Sequence, residues 1–311
     1  MQTKIYLLAI VVGLLLAVNV FFVLNVPLNE KGESLSPLEP FFNTTQAYVL
    51  PVSEPSFVPL LDSSIPKPVI DAKSALVYDV RSERFLYDFN SKQRLPIASL
   101  TKLMTALVVI DNLDLKEEVT IPKEAVRVDG SKQDLYAGEI ISVEDLLQTM
   151  LIGSSNDAAK ALAMYGQSKN IDFIAKMNEQ ASLLGMKDTQ FLDPAGLNDN
   201  AYSTAQDFVK LVAHALKYNK IWEVLRQPEL TLKSQGAPER QIKNTDQLLG
   251  TIDNLLGGKT GYTDIALGCM VVAVNVNNKH DTLISIVLGS TNRFEDTKKL
   301  IDWVTQAYRW E

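Results

Sequence analysis

An α+β fold is what this sequence predicts, with strands from both ends of one domain sharing an antiparallel sheet. Three observations lead there. They are a strand–turn–strand pattern near residue 75, apolar residues at helical spacing from Ser99 to Tyr218, and two long β-rich runs ahead of a closing amphipathic helix. Strands that follow one another through tight turns pair antiparallel, and strands at the two chain ends share a sheet when helices fill the interval. The expectation is a sheet of about five strands with flanking helices and a helical subdomain.

Ile5–Val26 is a nearly continuous apolar run, broken by Tyr6, Asn19 and Asn25. Its 22 residues suffice to cross a hydrocarbon core as a helix. Cleavable signal peptides have a shorter apolar region ending in small residues. This run ends Phe-Phe-Val-Leu-Asn-Val-Pro, so residues 1–27 are expected to be an uncleaved transmembrane anchor. Lys4 ahead of it gives a slight preference for a cytoplasmic N-terminus, with the rest of the chain outside. Pro27–Pro68 holds eight of the 13 prolines, so residues 28–68 read as an extended linker. One compact domain is then expected over residues 69–311.

Inside that domain, Ala75–Val80 and Phe85–Phe89 alternate about a short polar turn, as in a β-hairpin. Leu103, Ala106, Leu107 and Ile110 recur at helical spacing; so do Leu146, Leu147 and Met150, then Ala158, Ala161 and Leu162, then Phe208, Leu211 and Val212. After Pro228 the period changes. Leu267–Val276 and Thr282–Leu288 are β-rich runs about the turn Asn277–His280, and Glu295–Tyr308 is an amphipathic helix.

Composition excludes several classes of function. A net charge of −7 argues against a nucleic-acid partner. The single cysteine, Cys269, excludes a disulfide framework and a cysteine-built zinc site, and its apolar run marks it as a small buried hydrophobe. The two histidines, His214 and His280, have no partner at metal-ligand spacing, and any Ser-His-Asp mechanism would have to use one of them.

Three short motifs carry chemistry. Ser99-Leu100-Thr101-Lys102 opens an apolar-periodic segment, and on a helix residues i and i+3 share a face, so Lys102 reaches the Ser99 hydroxyl. Apolar neighbours and a second cation lower a lysine pKa, as a lysine base requires. The same S-x-x-K pattern at Ser64–Lys67 contains Pro66 and lies in the linker, which shows how little the pattern specifies alone. Ser154-Ser155-Asn156 lies between two apolar helices, where serine and asparagine are also ordinary caps. Lys259-Thr260-Gly261 resembles the end of a phosphate loop, but Asp253 stands where the first glycine should be and a strand, not a helix, follows. A glycine-flanked K-T-G on a strand instead lets a substrate approach the backbone as an added edge.

In the order S-x-x-K, S-x-N, K-T-G, these motifs resemble the active-site set of penicillin-binding proteins and class A β-lactamases. More closely, Ile70–Ile110 with Ala98–Leu107, Gly153–Ala159, Phe191–Leu197, Tyr202–Ala205, Asn244-Thr245 and Lys259–Thr263 are similar to the low-molecular-mass D-alanyl-D-alanine carboxypeptidases, over roughly Val69–Tyr308. The resemblance implies the β-lactamase/transpeptidase-like fold and a serine peptidase acting on peptidoglycan stem peptides that end in D-Ala-D-Ala. It implies Ser99 as nucleophile, Lys102 as its base, Ser154 and Asn156 as proton network and substrate clamp, and Lys259 with Thr260 as carboxylate holders. Gly261 would let substrate close on the strand, and the N–H groups of Ser99 and Tyr262 would form the oxyanion hole. β-Lactam antibiotics are the implied inhibitors, with no metal or organic cofactor.

Two departures stand out. Some family members carry an arginine just before the K-T-G strand, and Asn244-Thr245-Asp246 has none. Many continue into a further β-rich domain and a C-terminal anchor, so the N-terminal helix is expected to take the anchor's place here. A DD-endopeptidase uses the same site and stays open as an alternative. A β-lactamase is disfavoured because Phe191–Leu197 offers only Asp193 where an E-x-x-L-N glutamate belongs.

Overall fold

The computed structural model describes residues 58–126, 134–277 and 281–310. The expected anchor, the linker up to residue 57 and His280 lie outside the described residues. Among the described residues no helix is long and apolar enough to cross a membrane.

The folded domain begins earlier than residue 69. Strand β1 (Leu60–Leu61) pairs antiparallel with Tyr308–Arg309 at the other end, and Asp62 N donates to Ala307 O. Ile65 packs beside Trp303. The last part of the proline-rich segment is therefore folded, because backbone pairing and an aromatic contact hold it where prolines alone would leave it extended.

Strands β2 (Ser74–Asp79) and β3 (Arg84–Phe89) form the expected hairpin. A 3-10 turn over Ala98–Thr101 leads into α1 (Lys102–Asn112). The interval after α1 departs from the helical expectation. Its β-branched residues build a small two-stranded antiparallel sheet, β4 (Glu118–Thr120) with β5 (Ile140–Ser142). Four helices follow: α2 (Val143–Ile152), α3 (Asn156–Ser168), α4 (Phe173–Leu183) and α5 (Ala205–Ala215). Each starts at a side-chain cap, from Ser142, Ser155, Asp172 and Thr204 respectively. Helix α6 (Asn219–Leu225) precedes a small hairpin, β6 (Glu229–Leu232) with β7 (Arg240–Lys243).

The chain then completes the sheet with β8 (Leu255–Thr263), β9 (Leu267–Val276) and β10 (Asp281–Ser290). Helix α7 (Arg293–Ala307) and β11 (Tyr308–Arg309) end the domain. The five-stranded antiparallel sheet has the order β3-β2-β10-β9-β8, so β8 is an edge strand. Period-two alternation sorts β9 between two cores. Cys269, Val271 and Ala273 face the helical region, while Met270, Val272 and Val274 join Leu300, Ile301 and Val304 of α7. Cys269 is fully buried, and burial pushes its thiol up to about 11, in keeping with a packing role.

Candidate active site

The three motifs arrive at one cleft of about 710 Å³, lined by Ser99, Ser154, Asn156, Thr260, Gly261 and Tyr262. Each is delivered by a different device. Ser99 sits in the tight turn ahead of α1, where Ala98 takes a left-handed conformation with φ +47°. Ser154 is also left-handed, φ +58°, in the three-residue break between α2 and α3. Left-handed geometry at a non-glycine residue is strained and persists where surrounding contacts enforce it. Lys259, Thr260 and Gly261 lie in the second half of β8, on the sheet edge.

Lys102 is wholly buried, and its ammonium nitrogen makes three contacts. It lies 2.7 Å from Ser99 Oγ, 2.7 Å from Asn156 Oδ1 and 2.8 Å from the Ala195 carbonyl. Burial, then the charge of Lys259, hold its pKa well below the ordinary lysine value, against an opposing pull from Asp193. A lysine so placed can be neutral and accept a proton from a hydroxyl 2.7 Å away. Asp193 also shapes this wall. Its Oδ1 accepts from the N–H groups of Ala195, Gly196 and Leu197, and its Oδ2 from Asn198, which aims the Ala195 carbonyl at Lys102.

Lys259 anchors the opposite side. Its Nζ donates to Ser154 Oγ at 2.8 Å and to Thr260 O at 3.1 Å. Burial brings its pKa down to about 7, with Asp246 raising it and Arg293 lowering it. Among the described residues Ser154 thus bonds to Lys259 rather than to Lys102, so the expected proton network divides into two linked halves. The Thr260 hydroxyl shares a 2.6 Å hydrogen bond with Thr245 Oγ1. A Cβ on Gly261 would lie 2.9 Å from the Ile97 carbonyl and 3.1 Å from Ser99 N. Only glycine therefore lets β8 pass so close to the serine's own backbone.

The cleft also holds what the sequence did not point to. Asn244-Thr245-Asp246, ahead of the K-T-G strand, has no arginine, but Arg293, at the start of α7, lines the same cleft. It stacks on Phe294, 4.6 Å from the ring centroid, and burial lowers its pKa. No local pattern marks Arg293, because sheet topology alone brings the start of α7, just past the end of β10, against Gly268 at the β8–β9 turn. Asp134 on the S-x-N side is set by a buried ion pair. Arg240 grips both carboxylate oxygens of Glu139, at 2.7 and 2.8 Å, and donates to the Asp134 carbonyl at 2.6 Å. Among the described residues no group of three or more His, Cys, Asp or Glu side chains is arranged to hold a metal.

A serine and a buried lysine of lowered pKa three residues apart, faced by an S-x-N turn and a cationic edge strand, form an acyl-transfer constellation. Comparison with known proteins agrees: residues 62–292 match the D-alanyl-D-alanine carboxypeptidase family. The chain belongs to this family. It is 31% identical over 247 residues to D-alanyl-D-alanine carboxypeptidase DacF of Bacillus subtilis, covering 76% of this chain and 63% of that protein. It is 34% identical over 238 residues to a D-alanyl-D-alanine endopeptidase of Pseudomonas aeruginosa, covering 74% of this chain and 76% of that one. The chain thus spans less than two thirds of the length of the carboxypeptidase relative. Among solved structures, the Streptomyces K15 DD-transpeptidase superposes with a TM-score of 0.72 at 31% identity, over 78% of this chain and 100% of that one. The family relationship and the superposition give this chain the fold of the DD-transpeptidase and its relatives.

Proposed function

We propose that the chain removes the terminal D-alanine of peptidoglycan stem peptides through an acyl-enzyme on Ser99. The observation that carries this reading is the placement of Lys102 Nζ 2.7 Å from Ser99 Oγ, in surroundings that lower its pKa. Lys102 takes the Ser99 proton as Oγ bonds to the carbonyl carbon between the two D-alanines. The N–H groups of Ser99 and Tyr262 hold the oxyanion, aided by the positive end of the turn leading into α1. The C–N bond then breaks and the proton passes to the leaving amine. Water hydrolyses the ester, and Ser99 regains its proton. Asn156, whose Oδ1 is occupied by Lys102, keeps its amide nitrogen for the substrate backbone. Lys259, Thr260 and Arg293 present positive charge and a hydroxyl to the terminal carboxylate.

A β-lactamase needs a base for the deacylating water. Asp193 does not supply it, since both its oxygens are taken by backbone N–H groups. A DD-endopeptidase shares every feature above and is favoured by the name of the Pseudomonas relative, so the test must separate it. Labelled penicillin should form one adduct, at Ser99, and a D-Ala-D-Ala pentapeptide should release D-alanine. An adduct elsewhere overturns the site, and cleavage of cross-linked dimers alone overturns the carboxypeptidase reading.

The same reading places the domain outside the cytoplasmic membrane, tethered by the apolar run Ile5–Val26, where peptidoglycan is available. Protease added outside intact spheroplasts should remove the domain; full protection would sink this placement.

A further inference from the structure

Asp246 is the unexplained charge of the site. It is almost fully buried, and it lies in the segment Asn244–Leu248 that runs beside the edge strand β8. That segment is firmly tied. Asn244 Nδ2 donates to the carbonyls of Leu225 and Gln227, Asn244 Oδ1 accepts from Asp246 N at 2.8 Å, and Thr245 N donates to Ile152 O. Asp246 Oδ1 accepts from Leu248 N at 2.8 Å, closing a turn. Oδ2, by contrast, is buried with no hydrogen-bond partner among the described residues.

Gly258 explains where that oxygen fits. A Cβ on Gly258 would lie 2.5 Å from Asp246 Oδ2, 2.8 Å from Val272 Cγ1 and 3.0 Å from Met270 Cε. The missing side chain thus leaves a notch in the edge strand, and the carboxylate occupies it, one residue from Lys259. Gly258 and Lys259 are adjacent on β8, so their side-chain directions oppose. The carboxylate and the lysine therefore sit on the two faces of one thin strand. A turn-forming role needs Oδ1 only and would be met by asparagine. An unpartnered ionisable oxygen packed into a glycine notch calls for another reason, because burying a charge without one is costly.

We propose that Asp246 is a positioning residue for the reaction, acting through Lys259: it is the buried counter-charge, reached through the Gly258 notch, that keeps the Lys259 ammonium available to bind a substrate carboxylate. The other charges near Lys259 work against it. Arg293 at the start of α7 is cationic and lowers it, and Lys102 on α1 is coupled to it by like charge. Asp246 is the group that raises it. Its own carboxyl is pushed up to about 6 by burial. Each of the two charges therefore favours the ionised form of the other across the strand. The proposal rests on the reading of Lys259 as the carboxylate-binding cation.

The test uses the full chain with Asp246→Asn, which keeps the shape and the turn hydrogen bond but removes the charge. Lysines carry a 13Cε label, and the Lys259 resonance is identified by its loss in Lys259→Arg. Loss of a counter-charge favours the neutral amine, so the Lys259 midpoint should fall by about one pH unit in Asp246→Asn. In parallel, acylation by penicillin, which bears a carboxylate, should be about tenfold weaker at pH 8 through apparent affinity and near wild type at pH 6. An unchanged Lys259 midpoint, or an equal loss at every pH, overturns the proposal in favour of a structural turn. If Asp246→Asn does not fold, the wild-type chain carries the test. The Lys259 resonance should then show a second step where the Asp246 carboxyl titrates, and a single step overturns the proposal. The resonance readout needs no activity. If the wild type shows the coupling but releases no D-alanine, the proposed function alone fails.

Discussion

Gly196 stands directly against Ala98, the residue before the proposed nucleophile. A Cβ at Gly196 would overlap the Ala98 carbonyl, and both residues hold positive φ, +78° and +47°. The Phe191–Leu197 loop is thereby keyed into the turn that carries Ser99. Gly196→Ala should destabilise the domain by at least about 2 kcal/mol, through left-handed strain and overlap together. Penicillin acylation should fall more than stability accounts for, because the displaced residue adjoins Ser99. Thermal denaturation and acylation rates on one preparation check both parts.

The pH profile of acylation should report Lys102. The base must be neutral, and its pKa lies well below the ordinary lysine value. Acid then protonates it, so the rate should fall on the acid side of the profile. Lys259→Ala removes the neighbouring positive charge that lowers Lys102, so Lys102 protonates more readily and the acid limb should move to higher pH. Lys102→Arg cannot become neutral and should lose at least about 10³-fold in rate while staying folded. Acylation rates measured between pH 5 and pH 9, with circular dichroism of each variant, test these signs.

Thr245 lines the cleft and shares a 2.6 Å hydrogen bond with Thr260 Oγ1. Thr245→Val keeps the shape and removes one hydrogen bond, worth about 1 kcal/mol. The expected result is a KM for the D-Ala-D-Ala peptide raised about fivefold with kcat little changed. Steady-state kinetics of D-alanine release decide it, and an equal fall in kcat would contradict a binding role.

The Glu139–Arg240 pair should matter for stability. Glu139 is buried, Arg240 nearly so, and the pair joins the β4–β5 region to the β6–β7 hairpin. Arg240→Ala leaves the buried Glu139 carboxylate with hydrogen bonds from Tyr136 N and the Ser234 hydroxyl but without its counter-charge, which costs about 3 kcal/mol. Chemical denaturation of the variant measures the loss, and a change under 1 kcal/mol would show the pair to be dispensable.

Much of this was legible because the signals are local. Alternation in Leu267–Val276 and the i, i+3 spacing of Ser99 and Lys102 depend on neighbours in sequence, and the sheet and the serine–lysine contact follow from them. The helix was expected to open at Ser99 itself, whereas Ser99 lies in a 3-10 turn and α1 begins at Lys102. The strained backbone at Ala98 explains that offset, and no propensity signals it. Ser154, Asn156 and Lys259 were found as motifs, but their pairing was not: the lysine that meets Ser154 belongs to the edge strand. Arg293, Asp246 and Leu60–Leu61 have no pattern of their own. Their partners are assembled by topology, across separations a window of sequence does not span.

Lys259 beside Ser154 has one further consequence for the order of events. In the proposed reaction the terminal carboxylate departs with the released D-alanine, so the acyl-enzyme that awaits water no longer carries the anion that Lys259 held. Opening a β-lactam expels nothing, because the cleaved nitrogen stays in the ring that bears the carboxylate. The peptide therefore hands the site back with its cation unoccupied, while the antibiotic remains clasped at both ends, on the Ser99 ester and on the Lys259 ammonium.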